Sequence, residues 1–205
     1  EQNQPAKSIL FCHEKDPHTE RWHGRRMGTQ LAPKQLQIDS ALPLKSLGQE
    51  LTQRLSGTET LYWAQGDTPE KDSIIAAVLA QLRAGERQDL FAPRTICDWR
   101  PILDEMRLFK SDAEIQLIEQ AIAISAAGHL SAIKQCKPSL MEYQLQSYIE
   151  HNFGLHGCPP AYASIVGGGD NACILHYTQN DAEIKDGDLI LIDAGAEYQG
   201  YAADI

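Results

Sequence analysis

Two carboxylates near the end of the sequence occupy positions where a carboxylate is costly. Asp193 follows four aliphatic residues, Leu189-Ile190-Leu191-Ile192, and Asp204 stands between Ala202-Ala203 and Ile205. Both positions read as buried or half-buried, where an acid needs a cation, a hydrogen-bond network or a metal. Between them, Gly195 and Gly200 flank Glu197-Tyr198-Gln199, a turn composition. A hairpin folded around that turn allows the two acids to lie across the ladder, where same-face neighbours are about 5 Å apart. Like charges at that distance repel, so either one is protonated or a divalent cation sits between them. The spacing alone does not choose. His176, in Ile174-Leu175-His176-Tyr177, is the next residue able to ligate a metal or move a proton, although on spacing alone a lone histidine here is more often structural.

The elements that must position these residues are legible in outline. Ser8–His13 is a short apolar run that reads as a strand, and the basic segment Arg21–Arg26 after it as a solvated turn. Leucines at 42, 44, 47, 51 and 55 approximate helical spacing. Thr60–Ala64 reads as a strand, and Ile74, Ile75, Val78, Leu79 and Leu82 as one face of a helix over Asp72–Arg83. This order predicts an α/β domain over residues 1–101. Phe91–Pro101, with Pro93, Trp99 and Pro101, reads as a connection. Ser111 followed by Glu114 is a capping box opening a helix that runs to about Lys134. Pro138-Ser139 opens another, with Ser139 as N-cap and Glu142 as its partner. Ala161–Val166 and Cys173–Tyr177 read as strands around the turn Gly167–Asn171, Asp186-Gly187-Asp188 as a hairpin turn, and Leu189–Asp193 and Tyr201–Ile205 as further strands. Helices followed by hairpins predict an α+β domain over residues 102–205.

Composition narrows the chemistry. The 205 residues carry a formal net charge of −10, which repels phosphate backbones and argues against nucleic acid as a partner. No apolar run reaches the roughly 18–20 residues needed to cross a bilayer. Glu1-Gln2-Asn3-Gln4-Pro5 has neither the basic nor the apolar region of a signal peptide. The abrupt Ala203-Asp204-Ile205 ending suggests a piece of a longer chain. The cysteines at 12, 97, 136, 158 and 173 include no C-x-x-C pair and read as reduced thiols of a cytoplasmic protein. The three consecutive glycines lack the Gly-Lys-Ser/Thr of a phosphate loop, and there is no Gly-x-Ser-x-Gly elbow for a serine nucleophile.

Several segments, in order, resemble one family. Glu105-Met106-Arg107-Leu108-Phe109-Lys110-Ser111, Ile165-Val166-Gly167-Gly168-Gly169, Ile174–Tyr177, Leu191-Ile192-Asp193-Ala194-Gly195 and Gly200–Ile205 closely resemble the Xaa-Pro aminopeptidases of the pita-bread metallopeptidase superfamily. Residues 59–110, including Ala64-Gln65-Gly66 and Asp98-Trp99-Arg100-Pro101, are similar to that family's N-terminal domain. The resemblance implies an α/β N-terminal domain followed by the first half of an α+β pita-bread catalytic domain. It implies hydrolysis of the first peptide bond of substrates with proline second, and two divalent cations, manganese by preference, held by two Asp, one His and two Glu. Asp193 and Asp204 match the two Asp ligands, with Asp204 bridging. His176 matches a histidine that helps bind substrate and steady the tetrahedral intermediate, and Arg107 a plausible active-site contact. Water activated by the cations would be the nucleophile.

The family's remaining ligands lie downstream of the second Asp, so the sequence reads as a central fragment that is inactive alone. The full-length form would be a homo-oligomer, and an unpaired Leu189–Ile192 edge would favour self-association here. Prolidase, which takes dipeptides only, and a non-catalytic pita-bread binding module are the rival readings. A plain α/β binding domain leaves the acid pair unexplained.

Overall fold

The computed structural model describes residues 8–205. The signal-peptide reading of residues 1–5 therefore lies outside the described residues. The chain divides into two compact units at Met106–Arg107.

The first unit is built from β-strands and crossover helices. Strand β1 (Ile9–Cys12) pairs in parallel with β2 (Ser40–Pro43), Ile9 opposite Ser40 and Cys12 opposite Pro43. Helices α1 (Pro17–His23) and α2 (Gly28–Leu36) fill the crossover. Asp16 caps α1 by accepting from the His18 and Thr19 N–H groups, and Pro17 starts it where no N–H is needed. The basic segment is thus partly the last turn of this helix, with Trp22 standing 73% exposed. The leucine run from 42 is not one helix. Leu42 lies in β2, and only Leu47–Leu55 forms α3, because Pro43 and a 3₁₀ turn over Leu44–Ser46 separate strand from helix.

Strand β3 (Thr60–Tyr62) pairs in parallel with β4 (Thr95–Cys97), and α4 (Pro69–Ala84) crosses between them with Ile75, Val78, Leu79 and Leu82 buried. The sequence reading missed β4, which lies inside the segment taken as a connection. With Pro93 just before it the strand is three residues long, too short for periodicity to show. Helix α5 (Arg100–Leu108) then leads into the second unit.

Helix α6 (Asp112–Gln135) has the expected capping box. The Ser111 hydroxyl accepts from Glu114 N–H, and Glu114 Oε2 accepts from Ser111 N–H at 2.7 Å. It packs on α7 (Glu142–Leu155) at Gly128, where a Cβ would lie 3.0 Å from Phe153 Cε1 and 3.2 Å from Ile149 O. Buried Ile124, Ala132, Ile149, Phe153, Ala194 and Ala196 form one core cluster, and Leu140, Leu145, Val166 and Ile184 a second.

Ser139 is not the cap of α7. It sits at φ 69° with its N–H on Ile184 O, and the helix begins three residues later, where Met141 N–H donates to Gln144 Oε1. Strand β5 (Ile165–Gly168) pairs antiparallel with β6 (Ile190–Asp193), Ile165 opposite Asp193. Strand β7 (Glu197–Tyr198) pairs antiparallel with β8 (Tyr201–Ala202) across the Gln199-Gly200 turn. Two of the glycines expected in a turn, Gly167 and Gly168, lie in β5. Cys173–Tyr177 is not a strand: a 3₁₀ turn over Gly169–Cys173 runs into a second turn.

Candidate metal centre

Asp193 ends β6, and the chain from Ala194 to Glu197 then threads a groove in which nearly every backbone group is used. Ala194 N–H donates to Ile205 O at 3.0 Å, Gly195 O accepts from Ala161 N–H at 2.8 Å, Ala196 O accepts from Ala203 N–H at 3.0 Å, and Glu197 N–H donates to Pro159 O at 3.0 Å. Helix α6 completes the set from one face. Ser125 Oγ accepts from Ala196 N–H at 2.9 Å and donates to Ala121 O, and His129 Nε2 contacts Ala194 O at 2.8 Å. A carbonyl only accepts, so Nε2 carries the proton. Ser125 and His129 are one helical turn apart and therefore share a face.

Gly195 is required here by close approach. A Cβ on it would fall 1.8 Å from Ala203 O and 2.6 Å from the Ala203 carbonyl carbon. The two backbones can meet only without a side chain.

The acids do not face each other across the ladder. Ala196 meets Ala203 and Ala194 meets Ile205, which sets Gly195, rather than Asp193, opposite Asp204. Asp193 is half-buried, as expected, but Asp204 is exposed. What joins them is Tyr162, which sequence reasoning missed. Its hydroxyl donates to Asp204 Oδ1 at 3.0 Å, and it lies near enough to Asp193 for that charge to bear on the phenol. Burial, those contacts and the two negative charges push the phenol well above the ordinary tyrosine range. No pattern marks Tyr162 in the sequence, since it falls in a segment read as strand.

Asp193 Oδ1 is buried and has no hydrogen-bond partner among the described residues. An orphaned carboxylate oxygen next to a second carboxylate is a donor set for a hard divalent cation, so the residues present fit a metal. The two acids are not joined by a third ligand, since no group of three or more His, Cys, Asp or Glu that could hold an ion occurs among the described residues.

His176 and Arg107 are not hydrogen-bonded to this pair. His176 is exposed in the turn after the 3₁₀ segment, beside Leu175, which is 87% exposed. Arg107 is exposed at the end of α5, with its charge near the Tyr201 phenol, whose hydroxyl donates to Glu114 Oε1 at 2.9 Å.

Residues 116–205 match the model of Metallopeptidase family M24, and residues 1–62 that of the Aminopeptidase P N-terminal domain. The chain is 48% identical to a Xaa-Pro aminopeptidase of Escherichia coli (strain K12) over 97% of its length, and 41% identical to one of Haemophilus influenzae over 98%. It spans 45% of the length of each of these relatives. Zinc-substituted E. coli aminopeptidase P in complex with product superposes with a TM-score of 0.95 at 48% identity, and proline aminopeptidase P II from Yersinia pestis with 0.93 at 50%; in each case 97% of this chain aligns with 46% of the other. These likenesses bear out an α/β N-terminal domain followed by part of an α+β pita-bread domain. Residues 116–205 are accordingly similar to metallopeptidase family M24, and residues 1–62 to the aminopeptidase P N-terminal domain.

Proposed function

We propose that this chain carries part of the active centre of an Xaa-Pro aminopeptidase, in which Asp193 and Asp204 hold divalent cations, with manganese the favoured ion. The observation that carries the reading is the orphaned, buried Oδ1 of Asp193, set beside Asp204 through their common neighbour Tyr162. When bound, divalent cations supply Lewis acidity and lower the pKa of water for attack on a peptide carbonyl. A hard cation takes about six donors, so two carboxylates alone hold it weakly, and the active protein needs ligands outside these 205 residues.

The chain's own residues do the rest. Tyr162 keeps its proton, donates to Asp204 and orients that carboxylate. The backbone grip on Ala194 and Ala196 by His129 and Ser125 holds the segment that follows Asp193. His176, exposed on its turn, is available to donate to a substrate carbonyl, and Arg107 to meet an anionic group. The substrates are peptides with proline second. The five cysteines are all free, which fits a reducing, cytoplasmic setting, and the whole enzyme would be a homo-oligomer. No described helix is long and apolar enough to cross a membrane.

Calorimetric titration of the chain with manganese tests the metal reading. Weak binding is expected, abolished by Asp193→Asn. Equal heats from both proteins would reject the site. In the catalytically complete protein, release of the first residue from an Xaa-Pro peptide, lost in Asp204→Ala and in His176→Ala, tests the activity.

A further inference from the structure

Glu142 is completely buried, and no cation pairs with it among the described residues. Its Oε1 accepts from Gly168 N–H at 2.7 Å and Asn171 Nδ2 at 3.1 Å. Its Oε2 accepts from Tyr177 hydroxyl at 2.7 Å and Ala182 N–H at 2.9 Å. The four donors span one loop. Gly168 is the last residue of β5 and Ala182 lies beyond the far end, so a single carboxylate closes the neck. Asn171 and Tyr177 tie the loop's interior to the same group, and Tyr177, 6% exposed, is the residue after His176. The tie is doubled, since Tyr177 hydroxyl also accepts from Asn171 Nδ2 at 3.0 Å. Between Asn171 and Tyr177 the loop is open: Ile174, Leu175 and His176 are exposed and His176 has no hydrogen-bond partner among the described residues. Past Tyr177 the buried Asn180 is a separate anchor, accepting from Val166 N–H at 2.9 Å and donating to Ser164 O at 2.8 Å. A charge buried without a counter-ion is retained only where its hydrogen bonds are complete, and here they all serve one loop.

We infer that Glu142 is a positioning residue for His176: from helix α7 it clamps the 168–182 loop at its neck and at Tyr177, and so fixes where the histidine stands. The inference rests on His176 acting in the proposed reaction. A glutamine at 142 keeps the shape but turns an N–H₂ toward one set of donors, so half of the clamp opens while the core keeps its volume.

Two measurements test it. Hydrogen exchange of this chain should show amides of residues 169–182 exchanging about tenfold faster in Glu142→Gln, with α6 and the body of α7 still protected. Tyr177→Phe, which removes one donor and no volume from the core, should give a smaller effect in the same segment. Unchanged exchange in the loop, or loss of protection throughout the unit in both variants, overturns the clamp. In the catalytically complete protein, Glu142→Gln should lower kcat more than it raises KM, and should add little to the loss in His176→Ala. Additive losses overturn the positioning role. A fully active His176→Ala would reject the proposed role of the histidine, whereas the exchange result would still decide the clamp.

Discussion

Gly195→Ala isolates the contact that sets Asp204 beside the segment following Asp193. The added methyl would lie 1.8 Å from Ala203 O, so the facing backbone must withdraw by about 1.6 Å to reach the 3.4 Å of ordinary contact. The obstacle is a carbonyl rather than the end of a flexible side chain, so no rotamer change relieves it. Overpacking of this kind costs about 1–3 kcal/mol. The shift also strains the Ala203-to-Ala196 and Ala194-to-Ile205 hydrogen bonds, each contributing about 1 kcal/mol. A loss of roughly 3 kcal/mol follows, with Asp204 drawn away from Tyr162. Urea unfolding should show a lowered midpoint at an unchanged slope, and calorimetry should show manganese binding lost. Gly154→Ala, in helix α7 where nothing lies within 4 Å, is the control: it should leave manganese binding unaltered and should not lower the midpoint, since alanine favours the helix. Wild-type stability together with wild-type manganese affinity in Gly195→Ala would refute the close-approach argument.

Phe153→Ala, at the fully buried contact between α6 and α7, should lower stability by about 3–5 kcal/mol in urea unfolding. Ser125→Ala strands the Ala196 N–H in the core and should cost about 1–3 kcal/mol, with faster exchange of that amide. Burial raises the Glu142 carboxyl, but its hydrogen bonds from Gly168, Ala182, Tyr177 and Asn171 outweigh this and hold it below the ordinary value of 4.5. The unfolded chain therefore takes up this proton at a higher pH than the folded chain does. The stability Glu142 gives is present above about 4.5 and is lost as pH falls through the lower folded value. Unfolding midpoints followed down from neutral pH should fall more steeply for the wild type than for Glu142→Gln. The adjoining titratable groups are the Asp181 carboxylate and the Tyr177 phenol, which burial and Glu142 push up to about 12, so Tyr177 stays neutral throughout that window.

The sequence by itself determined the elements whose signals are local. The Ser111–Glu114 box needs only four residues, the apolar face of α4 only its own periodicity, and β6 only an aliphatic run. It also marked Asp193 and Asp204, because an acid beside aliphatic residues is conspicuous wherever it falls. It misplaced what depends on partners. Three-residue β4 exists because β3 lies alongside it, and Glu142 reads as a helix-cap partner until the fold brings Gly168, Tyr177 and Ala182 to it from as many as 40 positions away. Tertiary structure alone decided that Gly195, rather than Asp193, stands opposite Asp204, that Tyr162 joins the acids, and that α6 grips the chain between them through Ser125 and His129. The physical reason is the same in each case. Hydrogen bonds and close contacts between distant segments leave no periodic trace along the chain, whereas caps, helix faces and aliphatic runs are written in neighbouring residues.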